Sequence, residues 1–87
     1  METIIFNRES KTWSKDSKYN SLFLKSITEY CKNLFSYQGY LYLNRIYECL
    51  GVVWDPDKEN VCYRTMTGGL EFKIEQVDDD IYLIHIN

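Results

Sequence analysis

A chain of 87 residues makes one domain, 1–87, and leaves no room for a second core. With 45% hydrophobic and 26% charged residues it has the make-up of a folded globule and not of a disordered tail. The net charge of −3 is unevenly spread, with six basic and four acidic residues in 1–32 against four and nine in 33–87, a distribution that argues against a phosphate-backbone binder held by counterion release.

In chain order, Thr3-Ile4-Ile5-Phe6 is β-branched and aromatic and predicts a short strand. Residues 7–18 are polar and read as a long loop anchored by Trp13. Over 20–36, Phe23, Ile27, Tyr30, Cys31 and Leu34 recur at helical spacing, Leu24 and Phe35 widen the stripe, Asn20 or Ser21 is placed to cap the start, and Gly39 ends the segment. Tyr40-Leu41-Tyr42 reads as briefly extended. Leu43, Ile46, Tyr47 and Leu50 follow the i, i+3, i+4, i+7 pattern of a second helix over 43–50, closed by Gly51. Val52, Val53 and Trp54 then lead into Asp55-Pro56-Asp57-Lys58-Glu59-Asn60, a turn.

Beyond residue 60 the period changes from helical to alternating. Residues 60–66, 70–76 and 81–86 read as strands, joined by a two-residue turn at Gly68-Gly69 and a turn at Asp78-Asp79-Asp80. With that first turn, Tyr63 faces Ile74 and Thr65 faces Phe72 on the core side, while Arg64, Glu71, Lys73 and Glu75 share the solvent side. The last strand has two registers. A two-residue turn at Asp78-Asp79 sends Ile81, Leu83 and His85 to the core, and a three-residue turn sends Tyr82, Ile84 and Ile86 there instead. Because 81–86 is apolar at nearly every position, its outer face needs a cover. The N-terminal strand pairing beside it would supply one. Otherwise a homodimer or a partner would sit on Tyr82 and Ile84. The expected fold is therefore α+β, two helices packed on a three-stranded antiparallel meander that the N-terminal strand can extend.

No motif for catalysis or cofactor binding stands out. Cys31, Cys49 and Cys62 are odd in number and widely spaced, and one histidine does not complete a zinc site, so neither a metal nor a cofactor is expected and the thiols read as free in a reducing, cytoplasmic compartment. His85 has no nucleophile at motif spacing. The run 55–60 lacks the central glycine and terminal glutamate of a calcium loop. No apolar stretch approaches the roughly 20 residues a membrane-spanning helix needs, and the first residues do not form a signal peptide. The acids Asp55, Asp57, Glu59, Glu75, Asp78, Asp79 and Asp80 fall on turns or solvent-facing positions, where charge steers a partner with a basic surface.

The segment from Gly39 to Gly51, with Trp54, the Asp-rich turn and Ile74-Glu-Gln-Val-Asp-Asp-Asp-Ile-Tyr-Leu83, resembles small α+β proteins carried by phages and mobile elements of Gram-positive bacteria. The resemblance covers 39–87 and rests on packing positions; the Ser or Thr that usually caps the short helix is Tyr42 here. It implies a bacterial host and its cytoplasm. Together with the charge and size it gives the expected function. This is a non-enzymatic protein-binding module that acts on a host protein, in the manner of an anti-CRISPR-type inhibitor of a defence enzyme, with no direct contact to nucleic acid or membrane. Two other readings are a phage structural accessory or self-assembling protein, and a small-molecule binder using a pocket around Tyr37, Tyr40 and Tyr42.

Overall fold

A computed structural model describes residues 2–87. In chain order the elements are β1 (Glu2–Asn7), α1 (Ser17–Gln38), β2 (Tyr40–Tyr42), α2 (Leu43–Leu50), a 3-10 turn (Pro56–Lys58), β3 (Cys62–Arg64), a second 3-10 turn (Thr65–Thr67), β4 (Phe72–Asp78) and β5 (Ile81–Ile86). The class is α+β, as the sequence predicts.

Helix α1 starts earlier than its apolar stripe implies. Asp16, not Asn20, is the cap, and its carboxylate accepts the Lys18 N–H at 2.9 Å. Asn20 is instead fully buried one turn in, where it accepts the Ser14 N–H and donates to the Ser14 carbonyl. That exchange folds the polar segment 7–16 back against the helix. Trp13 reaches the core as expected and lies 5.4 Å from the ring of Phe6 and 6.1 Å from that of Tyr82. The inner stripe of α1 is Leu24, Thr28, Cys31 and Phe35, and Gly39 closes the helix at a φ of 83°.

Helix α2 spans the predicted residues, with Leu43, Ile46, Tyr47 and Leu50 buried. Gly51 ends it at a φ of 74°, and a side chain there would come within 2.9 Å of the Thr12 backbone nitrogen. Thr12 in turn donates to the Leu50 carbonyl at 2.6 Å, so the loop after β1 is fastened to the end of α2.

The three-stranded antiparallel sheet has different members from those the alternation implies. Its order is β1-β5-β4, with β5 in the centre. Thr3-Ile4-Ile5-Phe6 pairs along β5, Ile4 opposite Ile84 and Phe6 opposite Tyr82. The N-terminal strand thus pairs beside the last one and covers its edge, but not its outer face, where Ile81, Leu83 and His85 stay half-buried. Residues 60–66 do not join this sheet. Only Cys62–Arg64 is extended, and it pairs with β2 in a separate two-stranded sheet, Leu41 opposite Tyr63. Gly68-Gly69 is consequently not a hairpin turn, and the pairings of Tyr63 with Ile74 and Thr65 with Phe72 do not form. Residues 62–64 take β2 as their partner, which leaves the outer edge of β4 open. Gly39 also accepts the Thr65 N–H at 3.0 Å, which holds the end of β3 beside the end of α1.

The register of β5 is set by a bulge. Gln76 pairs with Tyr82 and Asp78 with Ile81, leaving Val77 as the extra residue. That one-residue slip sends Tyr82, Ile84 and Ile86 inward. Tyr82 is 3% exposed and Ile84 fully buried, so neither serves as a contact for a partner and both leave the set of candidate site residues. Phe72 and Ile74 are half-buried on the core side of β4 and Lys73 and Glu75 are exposed, as the alternation predicts.

The core lies between the inner face of this sheet and the helices. Ile4, Phe6, Tyr82, Ile84 and Ile86 meet Leu24, Cys31 and Phe35 of α1 and Leu43, Ile46 and Leu50 of α2. Among the described residues no buried side-chain polar atom lacks a partner, and no helix is long and apolar enough to cross a membrane.

Candidate partner-binding cleft

The acidic turn 55–59 is held in place by a buried amide. Asn44, in the first turn of α2, is 4% exposed. Its side chain donates to the Asp55 carbonyl at 3.2 Å and accepts the Asp55 N–H at 3.4 Å. Asp55 then caps the 3-10 turn by accepting the Asp57 N–H, and Pro56 fits the first position of that turn because it has no N–H to leave unpaired. Lys58 bonds Glu2 of β1 at 2.7 Å, and the Leu43 N–H donates to the Val61 carbonyl at 2.9 Å. The Glu2 carboxylate raises the pKa of the Lys58 ammonium above its ordinary value. The turn is thus tied to α2, to β1 and to the start of the second sheet.

Between this turn and α2 lies a cleft of about 560 Å³ lined by Tyr42, Arg45, Glu48, Trp54, Glu59 and Asn60, with Asn44 at its base. Trp54 is 54% exposed and Tyr42 44% exposed, a large apolar surface to leave in water. The ring of Tyr40 meets that of Tyr42 edge-on at 6.0 Å, which fixes the latter's position. Arg45 and Glu48 neutralise one another at 2.8 Å. Glu59 has no cationic partner among the described residues, nor has Asp57 beside it. The cleft is therefore aromatic and acidic at once. A guanidinium or ammonium group fits that pairing, since it stacks on an indole face while a carboxylate bonds its N–H groups.

The remaining acids lie elsewhere. The Lys58–Glu2 bond places the turn 55–59 at the Ile86 end of the sheet, whereas Asp78, Asp79 and Asp80 stand at its Ile81 end. Five residues of strand, roughly 17 Å, separate those ends. At the second end Asp80 is paired with Arg8, and Asp79 and Asp80 share a cavity of about 380 Å³ with Arg8 and Lys15. The hairpin tip is thus partly neutralised from within the chain. Glu75 is on the open face of the sheet, where its carboxylate meets His85 Nε2 at 2.9 Å. His85 Nδ1 in turn meets the Thr3 hydroxyl at 3.1 Å, a row that ties the three strands together. Cys62, a conceivable neighbour for His85, is in the other sheet opposite Tyr42. The seven acids do not form one surface.

Tyr37 is 91% exposed on α1 and is not part of the cleft, so Tyr37, Tyr40 and Tyr42 do not form the pocket expected of them; Tyr42 shares its cleft with Trp54. Trp54 and Asn44 are what the sequence reading missed. The available signal was a tryptophan placed directly before an acidic Asp-Pro turn, with no helical or alternating pattern to bury it. Among the described residues no three potential metal ligands cluster. Compared with protein-family models, with curated proteins and with solved structures, the chain gives no match.

Proposed function

We propose that the protein is a non-enzymatic binding module that takes a basic segment of a partner protein into the cleft between α2 and the turn 55–59. The observation that carries this reading is the exposure of Trp54 and Tyr42 beside Glu59, a carboxylate with no partner among the described residues. An arginine or lysine of the partner stacks on Trp54 and bonds Glu59, while Asp55 and Asp57 raise the local concentration of cationic groups. Exposed cation–aromatic contacts contribute about 0.5–1 kcal/mol and desolvated ones about 2. Trp54 is therefore the anchor, and the acids set the association rate and its salt dependence.

The resemblance of residues 39–87 to proteins of phages and mobile elements supports a host protein as the partner, met in the bacterial cytoplasm, with inhibition of a nucleic-acid-handling defence enzyme as the outcome. The basic surface of such an enzyme is the chemistry this cleft accepts. The excess of acid in residues 33–87 supports contact with protein and not with nucleic acid.

The test is capture of partners from lysate of a Gram-positive bacterium by immobilised wild-type protein, W54A and a triple variant with Asn at Asp78, Asp79 and Asp80. The reading expects a basic-surfaced protein retained by the wild type and the triple variant and lost with W54A. Retention by W54A would refute it.

A further inference from the structure

Strand β4 forms one edge of the main sheet. At its start Glu71 and Asn87 exchange both backbone bonds, at 3.3 and 3.0 Å. In an antiparallel ladder such pairs alternate with pairs that exchange none. Lys73 is opposite His85 and Glu75 opposite Leu83, so residues 71, 73 and 75 direct their backbone groups to β5. Phe72, Ile74 and Gln76 therefore turn N–H and C=O outward, and among the described residues nothing in the chain bonds them.

We propose that this edge pairs with the same edge of a second copy, antiparallel about a two-fold axis at Ile74, to make one continuous six-stranded sheet. The register follows from two constraints. Outward-turned residues must meet outward-turned residues, and at least two of Phe72, Ile74 and Gln76 must pair for a ladder to form, which restricts the axis to Lys73, Ile74 or Glu75. An axis at Lys73 sets Lys73 against Lys73 of the second copy and Glu71 against its Glu75. An axis at Glu75 sets Glu75 against Glu75. Like charges directly opposite are destabilising on either course. An axis at Ile74 sets Lys73 against Glu75 of the second copy, and by symmetry Glu75 against its Lys73. The Ile74 pair and both Phe72–Gln76 pairs then exchange their free backbone bonds, and the half-buried Phe72 and Ile74 side chains of the two copies become neighbours on the core side.

The same charges keep unrelated strands off this edge, because an unmatched strand meets an unpaired Lys73 or Glu75. The bulge at Val77 kinks the strand after Gln76 and ends the pairing there. Glu75 holds His85 through one oxygen and keeps the other for Lys73 of the second copy. A contact one strand long is small beside the ~1,600 Å² of a standard interface, so the dimer is weak and depends on concentration.

Sedimentation equilibrium over a concentration series at low salt tests this. The apparent mass should rise from the 10.5 kDa of one chain toward twice that value. K73E alone and E75K alone should each weaken association by about tenfold, and K73E/E75K, which restores opposite charges in the reverse sense, should recover most of it. Thermal melts of each variant show that the fold is kept. A monomer at every concentration, a dimer indifferent to K73E, or a folded double variant that does not recover would each overturn the proposal.

Discussion

Cys31 sits at the centre of the core, and burial pushes its thiol from 9.0 up to about 12, with the neighbouring Cys49 thiol acting in the same direction. Below pH 9 the folded and unfolded chains both keep this proton, and stability is unaffected. Between pH 9 and about 12 only the unfolded chain gives it up, so stability falls as the pH rises through that window. Burial of Tyr63 and the Glu2 bond of Lys58 raise those groups too, and both add to the alkaline loss. Chemical unfolding at pH 8 and pH 10.5 should show the decrease, and C31A should flatten it; an equally steep curve in C31A would remove Cys31 from the explanation. The same burial makes Cys31 a poor nucleophile. Alkylation of the native protein should modify the half-buried Cys49 and Cys62 first, and mass measurement after unfolding without reductant should count three free thiols. At this scale the sequence was informative where a residue's neighbours carry a period, and silent where they do not. Trp54 has no patterned neighbours, and the tertiary bonds of Asn44 to Asp55 determine where it points.

Among the elements, α2 with its closing glycine is the most legible, because four apolar residues at helical spacing and Gly51 specify both ends. Gly51→Ala combines the cost of a left-handed backbone with a contact 2.9 Å from Thr12, and should destabilise the fold by about 2 kcal/mol. Asn44→Ala leaves the Asp55 N–H and carbonyl without their buried partner and should cost about 1–3 kcal/mol. Because Asn44 holds the turn, N44A should also weaken partner capture in protein that is still folded. Equilibrium denaturation of the two variants checks both values. The strands were less legible for a physical reason: alternation reports which face of a strand is buried and not which strand it pairs with. Alternation places Phe72 and Ile74 on the right face, but it does not reveal that residues 62–64 pair with β2 and leave the outer edge of β4 open. The Val77 bulge has no signature in Glu75-Gln76-Val77-Asp78, and for that reason both registers of β5 stood open until the fold chose Tyr82 and Ile84 for the core.

For the whole molecule, the central position of β5 makes the fold depend on its first residues. Ile4 is 2% exposed and Phe6 fully buried, and both lie against β5. Removing residues 1–7 takes two core side chains and bares one edge of an apolar strand, so the truncated chain should unfold or aggregate at room temperature. Circular dichroism and light scattering of the truncation check this, and a folded, monomeric product would contradict it. Charge is also arranged at this scale. The two acidic turns lie at opposite ends of the sheet. The one at the Ile81 end has Trp13 half-buried in its cavity and Arg8 and Lys15 beside its acids, whereas the one beside Trp54 sets an exposed indole against the unpaired Glu59. Titration of isotope-labelled protein with a short arginine-rich peptide, followed residue by residue by nuclear magnetic resonance, tests that distinction most directly. Saturable shifts confined to Tyr42, Arg45, the Trp54 indole and Glu59, and absent in W54A, are the predicted result. Shifts of equal size at Asp78, Asp79 and Asp80, or none at Trp54, would contradict it.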